Sequence, residues 1–441
     1  MSVQAGLLVL ALMVSGVSSS WAQLRDYSRL KIAPHPSGGL YIGQYEWAPG
    51  DIAAVEKAGG RTAALWSKHW GWWSVGHDSQ GSPHFDVSAA NAAWNEGKAV
   101  LVSAYSVYPS PEETEAPAGF TVDKLLSGAY DADLHRFAGE LRQFGKPLFF
   151  TTGREPNGAG ADYFGGFGPL GNQSLMWALE NKKGFAEFSP SGVLYAGIGS
   201  PAVCDGVERL KAAQRYYHDF FVRREGLEFL TFDTMGWAAL DPLQIGYDVA
   251  GLPAHIDKTY AETLMKSCHD FANFYPGADY ADWVSITFYM LDYLKKDFPE
   301  LSSDIIVPIA THLNTLKAMT TKIEATAPGK PVFIMELGFP DSMNPDSQWA
   351  AAKISTGFPR IVSEFPSVKG FALWSTLPEF TVDFPYDCLI RPETKQGAAL
   401  ANVFASTPSK FRSCVYLSDG KPLPACRTGD PPSRPQGLRV Q

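Results

Sequence analysis

Eight short apolar stretches recur along the chain, and helical patterns fall between most of them. They are Leu40 to Gln44, Thr62 to Trp66, Val100 to Ala104, Leu148 to Thr152, Glu228 to Phe232, Val284 to Tyr289, Val332 to Met335 and Phe371 to Trp374. A run that is apolar throughout, bounded by turn residues, fits a strand of a parallel sheet covered on both faces. Asp131 to Phe144 places Leu134, Phe137, Ala138 and Leu141 on one helical face, and Val207 to Arg224 and Pro308 to Thr326 are similar. Strand and helix alternating eight times predict a closed (β/α)8 TIM barrel. A chain of 441 residues, 45% of them hydrophobic, can build one.

Two of these strands carry the same local signature. Gly145-Lys146-Pro147 leads into Leu148 to Thr152 and then Gly153-Arg154-Glu155-Pro156-Asn157; Gly329-Lys330-Pro331 leads into Val332 to Met335 and then Glu336-Leu337-Gly338. Each reads as a tight turn, a buried strand and a carboxylate where the strand stops. Chemistry in a (β/α)8 barrel sits at the carboxyl ends of its strands. Paired carboxylates there suit cleavage of a glycosidic bond, one as acid/base and the other as nucleophile or second base. A lone strand-end glutamate is better read as a solvated group; two in matching contexts favour the chemical reading.

The flanks carry their own signals. Ala5 to Val14 is an apolar core too short to span a bilayer, and Ser20-Trp21-Ala22 supplies small residues for cleavage, so residues 1–22 read as a secretory signal and Gln23 as the mature start. Export permits disulfides. Of the five cysteines, Cys414 and Cys426 flank a Gly/Pro-containing loop and are the expected pair, with Cys204, Cys268 and Cys388 left open. Residues 23–405 would form the single catalytic barrel, and residues 406–441 a short Cys- and Pro-containing C-terminal appendage. The net charge of -9 provides no basic field for nucleic acid or anionic lipid.

Other chemistries find no motif. The nine histidines form no H-E-x-x-H, the cysteines no C-x-x-C, and no phosphate-binding G-x-x-x-x-G-K-[ST] or nucleophile elbow G-x-S-x-G occurs. Gly166 to Gly171 matches G-x-G-x-x-G but does not follow a strand directly. Neither a metal nor a cofactor is expected. Aromatic residues instead gather after the expected strands: Trp66, Trp70, Trp72 and Trp73 after the second, Tyr105 after the third, Trp237 after the fifth and Trp374 at the end of the eighth. Flat rings at a barrel mouth suit the C–H faces of sugars, and indole N–H groups can bond hydroxyls; in other settings such rings are core.

Asp123 to Gly158, Phe274 to Tyr289, Lys330 to Gly338 and Gly370 to Trp374, in that order, resemble glycoside hydrolase family 26, and Tyr41 to Gln44 resembles its first strand. The similarity spans roughly Gly39 to Ser375. It implies a secreted (β/α)8 barrel of clan A with a retaining mechanism, acting on β-mannan, mixed-linkage β-glucan or xylan. It also implies Glu155 as acid/base, Glu336 as nucleophile, Tyr289 as the strand-six tyrosine touching the nucleophile, and Trp374 as the aromatic near the cleaved sugar. Arg154 stands where the family has a His, and a cation there would favour the carboxylate form of Glu155. Arg154, Asn157, Trp66, Trp70, Tyr105 and Trp237 complete the expected substrate contacts. The expected protein is a secreted, monomeric endo-β-glycanase whose partner is a polysaccharide. The competing reading is a non-catalytic or weakly active glycan-binding barrel; Arg154 favours it, and retention of both glutamates opposes it.

Overall fold

A computed structural model describes residues 25–45, 51–71, 84–105, 125–151, 205–234, 237–238, 255, 257–259, 270–292, 306–340, 348–375, 388 and 390–426; within these, side chains are not described at 68–71, 103–105, 205–210, 237–238, 273–274 and 348. The eight barrel strands are β1 Leu40–Tyr45, β2 Leu65–Gly71, β3 Ala99–Tyr105, β4 Leu148–Thr151, β5 Leu230–Asp233, β6 Val284–Tyr289, β7 Val332–Gly338 and β8 Val368–Leu373. Each pairs in parallel with the next from β1 to β5 and from β6 to β8, and β8 returns to β1. A parallel bridge between Asp233 and Trp283, with Thr234 N–H donating to the Trp283 carbonyl, closes the ring between β5 and β6. The expected (β/α)8 barrel is the observed one.

Helices enter and leave as the sequence dictates. The helix Asp131–Phe144 has Asp131 and Asp133 in its first turn and buries Leu134, Phe137, Ala138, Leu141 and Phe144, an i, i+3, i+4, i+7 stripe. It ends at Gly145 in the left-handed conformation, φ 60°. Gly329, φ 73°, makes the equivalent turn before β7. Glycine takes that backbone without strain: Gly145 caps its helix, and Gly329 shapes the turn between the helix end at Ala327 and the start of β7. The helix Ile309–Thr326 matches its expectation closely, whereas the expected Val207 to Arg224 helix runs as Asp205–His218 and then widens into a π-turn, Asp219–Arg224.

The barrel is filled, not hollow. Phe149 of β4 stacks on Phe333 of β7, centroids 5.4 Å apart, and Trp283 packs edge-on against Phe149 at 5.1 Å. Strands β4 and β7, three places apart around the ring, thus bring their inward rings into contact across the barrel interior. Room for these rings comes from Gly370 on β8, where a Cβ would fall 2.8 Å from Phe333.

The amino end of the barrel is sealed by both chain flanks. Ile32–Ala33 pairs antiparallel with Tyr416–Leu417, Ile32 N–H donates to Thr231, and the Trp283 indole donates to the Ile32 carbonyl. Phe411–Arg412 adds to β1, and Phe411, Val415, Leu417 and Leu423 are buried. As far as Cys426 the expected appendage is therefore part of the barrel floor. Cys414 and Cys426 are bridged there, Cα atoms 5.5 Å apart, the expected pair. Cys388 is buried in the core; Cys204, Cys268 and the leader at 1–22 lie outside the described residues. No helix among the described residues is long and apolar enough to cross a membrane.

Candidate active site

The register along β7 decides what its carboxylate can do. Ile334 pairs with Ile286 of β6, but the next partner of Thr287 is Glu336, and on the other side Phe371 pairs with Ile334 while Leu373 pairs with Leu337. Met335 and Glu336 together oppose one residue on each neighbour, which is a β-bulge. Strict alternation from inward Phe333 would make Met335 inward and Glu336 outward. The bulge instead aligns Glu336 with Thr287, in the inward row that Ser285 shares with Phe333. Glu336 is fully buried, and its Oε2 accepts a hydrogen bond from the Tyr289 hydroxyl at 2.6 Å.

Tyr289 reaches this position because the residue beside it has no side chain. Tyr289 and Gly338 are register partners, and a Cβ on Gly338 would come within 2.2 Å of the edge of the tyrosine ring. The Met290 N–H then donates to the Gly338 carbonyl at 3.1 Å, tying the exit of β6 to that of β7. On the far side, Trp374 N–H donates to the Leu337 carbonyl at 3.0 Å, and the Trp374 ring lies 5.4 Å from that of Tyr45, the last residue of β1. Glu336, Tyr289, Trp374 and Tyr45 are thus gathered at the carboxyl end of the barrel.

Several polar side chains line the described part of the barrel. Ser67, Thr151, Asp233, Thr234, Ser285 and Thr287 are all buried. Thr151 and Ser285 both donate to the Thr234 carbonyl, at 2.8 and 2.7 Å. Asp233, register partner of Thr151, is held well above the ordinary carboxylate range, by burial first; Ser285 and the Thr234 N–H oppose this, and nearby Asp282 adds to it. Neither opposing group meets Asp233 in hydrogen-bond geometry, since among the described residues neither carboxyl oxygen has a donor and the Ser285 hydroxyl is committed to Thr234. A neutral carboxylic acid is the form that this site favours. Among the described residues no group of three or more His, Cys, Asp or Glu is placed to hold a metal ion.

With this geometry the chain resembles solved barrels. It is similar to GH26C from Muricauda sp. MAR_2010_75, with a TM-score of 0.52, 10% identity, and 85% of this chain and 87% of that one covered. It is also similar to the catalytic domain of the Bacillus sp. JAMB-750 GH26 endo-beta-1,4-mannanase, with a TM-score of 0.50, 13% identity and coverage of 85% and 87%. The fold is that of the family 26 barrels. No family model matches the sequence, and no curated protein matches it.

Against the expected site, the structure joins Tyr289 to Glu336 and puts Trp374 at the mouth. Glu155, Arg154 and Asn157 lie outside the described residues. Trp70, Tyr105 and Trp237 have described backbones only: Trp70 pairs with Ala104, Tyr105 with Gly71, and Trp237 with Ile286. Trp66 is a correction. Strand β2 starts at Leu65, later than the expected Thr62, so Trp66 falls at the strand's beginning and not after its end. It pairs with Val100, itself paired with Leu148, in the row next to that of Phe149, so it packs into the barrel wall and not at its mouth. Gly338, Asp233 and the bulge went unread as site features; the only signal in the sequence was that Gly338 follows Glu336 so closely.

Proposed function

We propose that the chain is a secreted, retaining endo-β-glycanase with Glu336 as nucleophile and Glu155 as acid/base. The observation that carries the reading is the buried Glu336 carboxylate at the barrel mouth with the Tyr289 hydroxyl on its Oε2 at 2.6 Å. Such a donor fixes the rotation of the carboxylate and stabilises its charged form, which is the form that attacks. Contact between Phe149 and Phe333 across the barrel interior supports a pairing of carboxylates borne by β4 and β7. The similarity to an endo-beta-1,4-mannanase supports β-mannan among the candidate substrates, with mixed-linkage β-glucan and xylan beside it.

In the first step Glu336 attacks the anomeric carbon as Glu155, protonated, gives its proton to the departing glycosidic oxygen. In the second Glu155 takes a proton from water, whose oxygen displaces Glu336 from the same carbon, so configuration is retained. Trp374 beside Tyr45 offers an aromatic wall for the sugar at the cleavage point, and Arg154, Asn157, Trp70, Tyr105 and Trp237 complete the contacts. Export is supported by the leader-like residues 1–22 and by the Cys414–Cys426 bridge.

The test is reducing-sugar release from mannan, glucomannan, lichenan and xylan by the folded protein, with Glu336→Ala as control and the anomer of the first product read by NMR. Release that depends on Glu336 and gives the β-anomer is expected. No release from any of the four glycans would leave the glycan-binding reading in its place.

A further inference from the structure

A buried ion pair lies directly behind the Tyr289–Glu336 contact. Lys353 Nζ lies 2.6 Å from Asp292 Oδ2, with side chains 4% and 5% exposed. Burying two charges costs desolvation that the pair's attraction often fails to recover, so an apolar pair of equal volume would serve stability as well or better. What this pair does is connect. Lys353 Nζ also donates to the Met290 carbonyl at 2.8 Å, and Asp292 Oδ1 accepts the Val307 N–H at 2.8 Å. Three segments converge on it: the exit of β6, the approach to the helix Ile309–Thr326, and the helical stretch Gln348–Glu364 between β7 and β8. Inside that stretch Lys353–Gly357 widens into a π-turn, a geometry found often at functional sites. It presses on Met290 as well, since a Cβ on Gly357 would come 3.0 Å from the Met290 Sδ and Cε.

Met290 is therefore held at both backbone groups, its N–H by Gly338 and its carbonyl by Lys353. It directly follows Tyr289, whose ring lies over Gly338 and whose hydroxyl sits on Glu336. Fixing that peptide fixes the direction in which the phenol leaves the strand. His312, also buried nearby, is kept neutral: burial and then the Lys353 ammonium lower its pKa to about 4. Lys353 is thus the cation of this pocket, and Asp292 its counter-charge.

We infer that Lys353 and Asp292 are positioning residues for the Tyr289–Glu336 pair, locking the exit of β6 so that the phenol stays on the carboxylate. The kinetic consequence rests on the hydrolase reading; the geometric one does not.

Lys353→Met alone would strand a buried carboxylate and could fail to fold, so the test uses the double replacement Lys353→Met with Asp292→Leu, which removes both charges together. A crystal structure of this variant is expected to show the Tyr289 Oη–Glu336 Oε2 separation opened beyond about 3.5 Å. An unchanged separation overturns the inference, whether or not the chain turns over glycan. In kinetics the same variant should lose about 10- to 100-fold in kcat with KM little changed. Placed on a Tyr289→Phe background, the double replacement should cost no further activity. A loss that multiplies in full with that of Tyr289→Phe would show that the pair acts elsewhere and would also overturn it. Wild-type protein that releases no sugar would sink the hydrolase reading alone, because the crystallographic arm still decides the positioning.

Discussion

Strands β4 and β7 begin alike: a left-handed glycine, Gly145 or Gly329, then Lys-Pro, then a buried apolar run whose rings, Phe149 and Phe333, touch across the barrel. Their registers differ. β4 stays in unbroken register with β3 and β5 as far as Thr151, the last described residue before Glu155. β7 slips by one residue against both neighbours and continues through Glu336 to Gly338. Glu336 is thus sequestered within its strand and held by a phenol, and Glu155 lies outside the described residues. A nucleophile gains from a fixed carboxylate, and an acid/base must exchange protons with water and leaving group. The position of Glu336 suits the first of these roles.

The largest expected effect breaks the comparison on the β7 side. Glu336→Ala should lower kcat by about 10,000-fold or more, with circular dichroism and the melting temperature close to wild type. Residual activity near wild type would remove Glu336 from the mechanism. Next comes Gly338→Ala. The added methyl must push the Tyr289 ring off its place, so we expect about 100-fold lower kcat and a stability loss of about 1–3 kcal/mol, read by kinetics and denaturant unfolding. An equal substitution at a surface glycine with no such neighbour supplies the contrast. Tyr289→Phe removes only the hydroxyl donated to Glu336. A charge-assisted hydrogen bond of about 1.5–3 kcal/mol translates into about 10- to 100-fold in kcat, with a stability loss of about 1–3 kcal/mol from the buried carboxylate that loses its donor.

The smallest effect sharpens the β4 side, through Asp233 opposite Thr151. Its folded pKa is raised by burial above the unfolded value of about 3.9. Above about pH 3.9 the unfolded chain has released this proton while the folded chain still holds it, so stability falls as pH rises until the folded pKa is passed. Asp233→Asn removes that dependence. Melting curves should therefore show the variant gaining on wild type as pH rises from about 4, with the gain absent below it. A pH-independent difference would mean that Asp233 ionises in the folded protein as it does in the unfolded chain.

Much of this molecule was legible in the residues. Continuous apolar strands between helical stripes specify a parallel barrel, because only a sheet covered on both faces hides such strands from water. Glu336 stood out by its place in a repeated signature, and Tyr289 by resemblance. Cys414 and Cys426 were near enough in sequence to pair. Trp66 was misread because a ring's burial depends on where along the strand it sits, and the strand's start moved by three residues.

What the sequence determined by itself is the order of strands and helices, the left-handed glycine turns and the identity of the candidate carboxylates, all of them set by local backbone preference and hydrophobic period. What only the tertiary structure decided is which way Glu336 points. Period-two alternation assigns it to the outside, and a bulge measured against β6 and β8 together returns it to the inside. The same holds for the fit of Tyr289 over Gly338 and for the Lys353–Asp292 pair behind Met290, which exist only once separate strands and turns are packed against each other, since no local interaction in the chain favours any of them.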